Sequence, residues 1–132
     1  MQTKGNEIVL DDTTLLVSET DAKGHIVFAD KAFVSVSGYS LEELIGQPHN
    51  IIRHPDMPKA AFKELWETIK QGNVWQGFVK NSSKSGQHYW VYATIFPFEK
   101  EHYLSVRKKA FPDEIEKYEE VYRKMREQER RA

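Results

Sequence analysis

The sequence predicts an α+β fold in which a five-stranded antiparallel sheet carries helices on one face and is followed by a C-terminal helix. Three observations predict it. Apolar runs typical of strands occur twice near the start and three times in the second half, with helix signals between them. Residues 89–96 alternate between two sets of side chains, as a strand does. Residues 113–132 are highly charged and have helical spacing.

Composition limits the possible functions. The 132 residues suffice for one domain with its own core, and 19 basic against 20 acidic residues give a net charge of −1. No global field therefore attracts nucleic acid or anionic lipid. Cysteine is absent from the sequence, which excludes disulfides, thiolate metal sites and cysteinyl cofactor adducts. With no apolar run near the ~18 residues of a membrane span, we expect a cytoplasmic domain.

The first half predicts a hairpin followed by short helices. Residues 15–17 and 26–28 are apolar, and the Asp and Gly of residues 21–24 suit the turn between them. Asp30 stands where an N-cap would, before a helix around residues 32–36. Residues 40–43 read S-x-x-E, which is a capping box that opens the next helix.

The second half predicts a longer helix and three strands. The helix begins at Pro58, reaches about Lys70, and has an apolar stripe at i, i+3, i+4 and i+7. Strands are predicted over residues 75–81, 88–98 and 103–109. The final helix begins at Pro112. Its apolar residues follow a short heptad seam, formed by Phe111, Ile115, Tyr118, Tyr122 and Met125.

The segment of residues 48–58, P-H-N-I-I-R-H-P-D-M-P, concentrates ligand-reading groups on a proline-stiffened backbone. Arg53 offers a planar fork for phosphate or carboxylate, and His54 a donor whose charge changes near neutral pH. Asp56 could orient either side chain. The alternative is that Asp56 caps the next helix and the other two lie on the surface. His49 and His54 are the nearest histidine pair, but the prolines prevent regular zinc-ligand geometry.

Asn81 is the second candidate, because its amide offers both donors and an acceptor for the edge of a flavin or nucleobase. The alternative is that Asn81 opens the turn that follows it. Gly77 and Ala93 would leave room for a flat ligand on the inner sheet face, or would accommodate large core rings. Trp66 and Trp75 could stack on a ligand or simply fill the core.

Several segments together resemble a PAS domain: T-D-A-K-G-H-I at residues 20–26, A-F at 32–33, S-G-Y-S at 37–40, E-L-I-G at 43–46 and K-S-G followed by Y-W-V at 84–91. The resemblance covers residues 12–110 in the correct order. It implies an N-terminal flanking segment over residues 1–11, a PAS sensor domain over 12–110 and a signalling or linker helix over 111–132.

Within that superfamily, residues 46–58 and the V-K-N of residues 79–81 resemble the FAD-binding PAS domains of aerotaxis (energy taxis) receptors. The resemblance implies that FAD is held non-covalently and that its redox state is reported to a chemotaxis module, either a HAMP or a methyl-accepting signalling domain, in a homodimer. Carried over by position, the resemblance implies that the cofactor-binding residues are Arg53, His54, Asp56, Asn81, Trp66, Trp75, His49 and Asp30. Asp30 is a departure, because such sequences carry Asn at that position.

Two other functions remain open at this point. The first is a cofactor-free PAS module for dimerisation or protein interaction, favoured by the heptad seam and by the outward aromatics Trp90, Tyr92 and Phe96. The second is a haem-binding gas sensor with His49 or His54 as the axial ligand. Because the sequence shows no nucleophile and base pair, we do not expect an enzyme.

Overall fold

The structure is a computed structural model that describes residues 2–131. Within them lie seven strands, four α-helices and two 3₁₀ turns, one at His49–Ile52 and one at Glu99–Glu101. The strands and helices are β1 (Gln2–Lys4), β2 (Glu7–Val9), β3 (Leu16–Thr20), β4 (Ile26–Ala29), α1 (Lys31–Ser37), α2 (Leu41–Leu44), α3 (Lys59–Lys70), β5 (Trp75–Ser82), β6 (His88–Phe98), β7 (His102–Lys109) and α4 (Pro112–Arg131).

The sheet is mixed rather than strictly antiparallel. Its strands follow the order β1-β2-β6-β7-β3-β4, and β5 pairs with β6. The five predicted strands, β3 to β7, pair antiparallel as expected. The difference is an N-terminal hairpin whose β2 runs parallel to β6, with Glu7 opposite His88. It fits there because β7 ends where Lys109 meets Val91, which leaves the start of β6 open to a further strand.

Helices α1 to α3 lie on the inner face of the sheet. The register places Gly77, Val79 and Asn81 opposite Ala93, Val91 and Tyr89, so these side chains share one face. The buried side of α3, including Leu65 and Ile69, faces the same layer. This packing forms the core and encloses the cavity described below.

Helix α4 folds back over the outer face of the sheet. The Tyr122 ring stacks on Trp90 with centroids 6.1 Å apart, and its hydroxyl donates to the Phe78 carbonyl at 2.5 Å. Tyr118 packs on Phe78 at 4.6 Å. The predicted heptad seam is therefore engaged within its own domain, and Trp90, expected on an open face, is buried.

The two predicted N-terminal caps, at Asp30 and at Ser40, are confirmed. The Asp30 carboxylate accepts from the Phe33 amide at 2.8 Å and caps α1. Ser40 and Glu43 form the reciprocal capping box of α2. Gly38 ends α1 in the left-handed region, with φ of +76°, which glycine adopts without the strain of a Cβ atom.

The start of α3 is capped from a distant part of the chain. Pro58, at its N-cap, offers no side-chain hydrogen bond. Instead the Glu129 carboxylate of α4 accepts from the amides of Lys59 at 3.1 Å and Ala60 at 2.9 Å. Asp56, the cap considered from the sequence, does not fill this role, and its backbone carbonyl accepts from Arg126 at 2.6 Å.

Candidate ligand-binding cavity

A cavity of about 220 Å³ lies between the inner sheet face and α3. Its apolar walls come from the stripe on α3 and from the facing strands. The 3₁₀ turn beginning at His49 and the turn of the first hairpin, at Lys23 and Gly24, form its remaining sides. The apolar lining residues are Phe62, Leu65, Trp66, Ile69, Val79, Ala93 and Ile95.

The charge of the lining has one sign. Lys23, Arg53 and Arg107 line the cavity, and among the described residues that do so there is no aspartate or glutamate. Cations grouped in a cleft with low-dielectric walls produce a strong local positive potential. The cavity is therefore complementary to an anionic or electron-rich ligand.

Arg107 is the deepest of these cations. Its side chain is only 3% exposed and donates to Ser18 Oγ at 3.0 Å and to the Leu16 carbonyl at 3.4 Å. Burial lowers the pKa of Arg107 to about 10, so the guanidinium stays charged at neutral pH. It keeps a positive charge next to the cavity at a cost in desolvation.

His49 is the direct partner of Arg107. Arg107 Nη2 donates to His49 Nε2 at 2.7 Å, so that nitrogen accepts and the ring is neutral with its proton on Nδ1. Burial, reinforced by repulsion from Arg107, lowers the pKa of His49 from 6.5 to about 3. At neutral pH the cavity thus combines a fixed cation with an uncharged imidazole.

This depressed pKa predicts an acid-sensitive stability. In the unfolded chain His49 becomes protonated below about pH 6.5, whereas in the folded chain it stays neutral down to about pH 3. The stabilisation is complete above pH 6.5 and is lost as pH falls, by at most about 1.4 kcal/mol per pH unit. Urea unfolding between pH 4 and 7 measures it. His49→Gln is the control, because Gln keeps an acceptor for Arg107 without titrating, and equal pH slopes in both proteins would contradict the prediction.

Two buried nitrogens at the cavity lack partners. Arg53 Nε and Asn81 Nδ2 have no hydrogen-bond partner among the described residues. Both atoms are buried, and the Asn81 residue as a whole is only 3% exposed. The backbones of these residues form an isolated β-bridge, and the Arg53 guanidinium lies 3.7 Å above the Phe62 ring. A buried donor without a partner costs about 1–3 kcal/mol. A ligand with acceptor atoms would recover that cost.

His54 and Asp56 do not line the cavity. His54 Nδ1 accepts from the Asp56 amide at 3.0 Å, and the Asp56 carboxylate accepts from Lys80 Nζ at 3.0 Å. That hydrogen bond lowers the pKa of Asp56, and burial lowers the pKa of His54. Asp56 and Lys80 line a small crevice under α4 together with Tyr122. Their part in FAD binding stays a prediction.

The other predicted residues divide in the same way. Trp66 lines the cavity and meets Tyr103 edge to face at 5.7 Å. Trp75 is not part of the lining. Its ring covers Gly77, and its Nε1 donates to Glu64 of α3 at 3.1 Å. Asp30 caps α1, as described above. The structure therefore brings together His49, Arg53, Trp66 and Asn81, and it places His54, Asp56, Trp75 and Asp30 outside the lining.

Residues 26–108 match the family model described as PAS fold. The chain belongs to the PAS family. The PAS domain is 50% identical over 125 residues to the aerotaxis receptor of Escherichia coli (strain K12), an alignment that covers 92% of this chain and 24% of the receptor. It is 30% identical over 105 residues to the nitrogen fixation regulatory protein of Klebsiella oxytoca, covering 76% of this chain and 21% of that protein. The PAS domain thus spans about a quarter or less of the length of these relatives.

Solved structures share the fold of this PAS domain. The light state of the blue-light photoreceptor Aureochrome1 LOV matches with a TM-score of 0.69 and 20% identity, over 85% of this chain and 91% of that one. The LOV domain of the Erythrobacter litoralis EL346 blue-light activated histidine kinase matches with a TM-score of 0.65 and 15% identity, over 70% of this chain and 93% of that one.

Arg107 is the main site residue of the PAS domain that was not predicted. A signal for it was available, because Tyr103, Ser105 and Arg107 alternate along β7 and the last two are buried polar residues on a core-facing strand. A cation at such a position has a partner or a ligand in most proteins.

Residues 2–131 contain neither a metal-binding cluster nor a membrane-spanning helix. They contain no group of three or more histidine, aspartate or glutamate side chains that could hold a metal ion. In the same range, no helix has the length and apolar character needed to span a bilayer.

Proposed function

We propose that this PAS domain binds FAD non-covalently and reports its redox state, and so the energy state of the cell, to a chemotaxis signalling module. The observation that carries the proposal is the pair of unpartnered buried nitrogens, Arg53 Nε and Asn81 Nδ2, at a cavity lined by three cations. Similarity to an aerotaxis receptor at 50% identity supports the same reading.

The cavity fits part of such a ligand. Its volume of about 220 Å³ is below the ~300–1,000 Å³ of pockets that enclose a drug-sized molecule. It would hold the flat ring system between the α3 stripe and the inner sheet face. The phosphates would then lie towards Lys23 and Arg53. Asn81 would supply the amide that reads the polar edge of the ring.

When bound, the flavin supplies electron-transfer chemistry that the chain itself lacks. Arg107 would favour negative charge at the deep end of the cavity, and His49 keeps that guanidinium in place through Nε2. Since the sequence has no cysteine, a light-driven thiol adduct is impossible, which favours a redox signal over a light signal.

His54, Asp56, Trp75 and Asp30 would act as positioning residues for the ligand. His54 and Asp56 hold the segment that presents Arg53, through the bonds to the Asp56 amide and to Lys80. Trp75 fixes α3 through Glu64. Each would affect binding without touching FAD.

The wider assembly is part of the proposal. The domain would be the cytosolic sensor of a membrane-anchored receptor, acting as a homodimer and passing its signal through α4 to a HAMP or methyl-accepting chemotaxis domain. We do not propose a haem site, because His49 Nε2 already accepts from Arg107 and His54 Nδ1 from the Asp56 amide.

The test is reconstitution with FAD followed by visible spectroscopy and a fluorescence titration. We expect the absorption bands of bound oxidised flavin, and their loss on reduction with dithionite. Asn81→Ala should weaken binding about tenfold or more, since it removes a buried hydrogen bond worth about 1–3 kcal/mol. Asn73→Ala, at an exposed asparagine before β5, is the matched control. A colourless protein after reconstitution would refute the proposal.

A further inference from the structure

The last two turns of α4 are fastened to the start of α3. The Glu129 carboxylate accepts from the amides of Lys59 and Ala60, and Arg126 Nη1 donates to the Asp56 carbonyl. We name residues 123–131 the strap. Its two fastening side chains hold backbone groups about 70 positions earlier in the chain.

These contacts meet a real need of the fold. The first amides of any helix have no partner within the helix, and Pro58 provides no side-chain cap for α3. A carboxylate at this end also interacts favourably with the helix dipole. Glu129 therefore does for α3 what an N-cap residue does for other helices, but only while the strap stays docked.

The backbone held by the strap is continuous with the cavity. Arg53 lies three residues before Asp56, and its backbone bridges to Asn81 of β5. The His54 amide donates to the Lys80 carbonyl at 3.3 Å, and Met57 Sδ accepts from the Lys80 amide. Residues 53–60 thus form one strip bonded to β5 along one side and to α4 along the other.

The helix that the strap caps also forms a cavity wall. Phe62, Leu65 and Trp66 line the cavity and lie within two turns of the amides that Glu129 holds. Movement at the start of α3 would displace these side chains. Arg53, whose buried Nε has no partner within residues 2–131, stands at the other end of the same strip, and Asn81, whose Nδ2 also has none, bridges to its backbone.

We propose that the strap reports the state of the cavity: a ligand that engages Arg53 and Asn81 fixes residues 53–60 and so tightens the hold of Glu129 and Arg126. The identity of that ligand as FAD rests on the proposed function, whereas the coupling itself is a property of the chain. Coupling between two sites is reciprocal. If ligand binding favours the docked strap by a certain factor, then undocking the strap lowers the affinity for the ligand by the same factor.

The first experiment uses the ligand-free protein and measures hydrogen exchange by NMR. Glu129→Ala should speed exchange of the Lys59 and Ala60 amides about fivefold or more. Glu129→Gln, which keeps one acceptor oxygen, should fall between Glu129→Ala and the wild type. Alanine favours helix, so a local loss of α4 is not expected from the substitution itself. Glu127→Ala is the matched control, since Glu127 pairs with Arg123 within α4.

The second comparison, also without ligand, tests the coupling. Arg53→Met removes the guanidinium that lies 3.7 Å above the Phe62 ring of α3, so it should speed exchange of the strap amides. Ile95→Val, a change in the cavity wall away from the strip, should leave them unchanged. Equal exchange of Lys59 and Ala60 in Glu129→Ala and the wild type would overturn the proposal. Strap amides that do not respond to Arg53→Met would overturn it as well.

FAD is then added to the same proteins. Exchange at Lys59, Ala60 and the strap should slow, and Glu129→Ala should weaken FAD binding by the matching factor while Glu127→Ala does not. Binding of FAD without any change at the strap overturns the inference and leaves the proposed function intact. Failure to bind FAD refutes the proposed function, and the ligand-free comparisons still decide the coupling.

Discussion

Arg107→Met is expected to weaken FAD binding at least about tenfold and to leave the ligand-free domain at least as stable as the wild type. Arg107 is 3% exposed, and its pKa is lowered to about 10 by burial, so its charge is maintained against desolvation. None of its hydrogen bonds in the described structure goes to a carboxylate, since they reach Ser18, His49 and a backbone carbonyl. Replacing a buried ion with an apolar side chain of similar size is often neutral or stabilising, by about 1–4 kcal/mol.

The effect of Arg107→Met on FAD binding is unfavourable, unlike its effect on the stability of the ligand-free domain. A hydrogen bond to a charged group is worth about 1.5–3 kcal/mol, so we expect FAD to bind at least about tenfold more weakly to Arg107→Met. Arg107→Lys keeps the charge without the fork and should bind with intermediate affinity. Lys108→Met, which removes an exposed cation from the neighbouring position of β7, is the control.

Flavin fluorescence titration and urea unfolding measure the two effects of Arg107→Met. Unchanged FAD affinity would show that Arg107 does not serve the ligand. A loss of stability above about 1 kcal/mol would show instead that the guanidinium stabilises the fold. That result would contradict the expectation that its desolvation cost is at least as large as the stabilisation from its hydrogen bonds.

Gly77→Val is expected to lower the free energy of unfolding by about 1–3 kcal/mol and to weaken FAD binding with it. A Cβ atom on Gly77 would lie 2.6 Å from Trp75 Cη2 and 2.7 Å from Cζ2, which is closer than side chains approach one another. The Trp75 ring would have to move. Because its Nε1 donates to Glu64, that movement would shift α3 and the cavity wall.

Gln76→Val is the control for this substitution. Gln76 precedes Gly77 on β5, points to the opposite face and is exposed, so the same side chain added there should change stability by no more than about 0.5 kcal/mol. Urea unfolding of both variants gives the comparison. Wild-type stability of Gly77→Val would mean that the Trp75 ring is free to leave its position, which would contradict the packing described here.

Part of the candidate site was predictable from short stretches of sequence. Arg53 and His49 stand in one proline-punctuated segment, and Asn81 ends a predicted strand. The register of β5 with β6 places Asn81 on the inner face with Gly77 and Val79. His54 and Asp56 stand in the same segment but lie outside the cavity lining, because the chain turns beneath α4 after Arg53. Sequence proximity predicted a cluster, whereas the backbone path decided which members line the cavity.

The order and nature of the central elements were determined by the sequence itself. Caps such as Asp30, turn glycines and side-chain alternation act through a few neighbouring residues, so they can be recognised without the fold. Tertiary structure alone decided the Arg107–His49 contact, the cap that Glu129 places on α3 and the parallel pairing of β2 with β6. Each joins residues that are distant along the chain, and such contacts depend on the packing of whole elements, which no local pattern encodes.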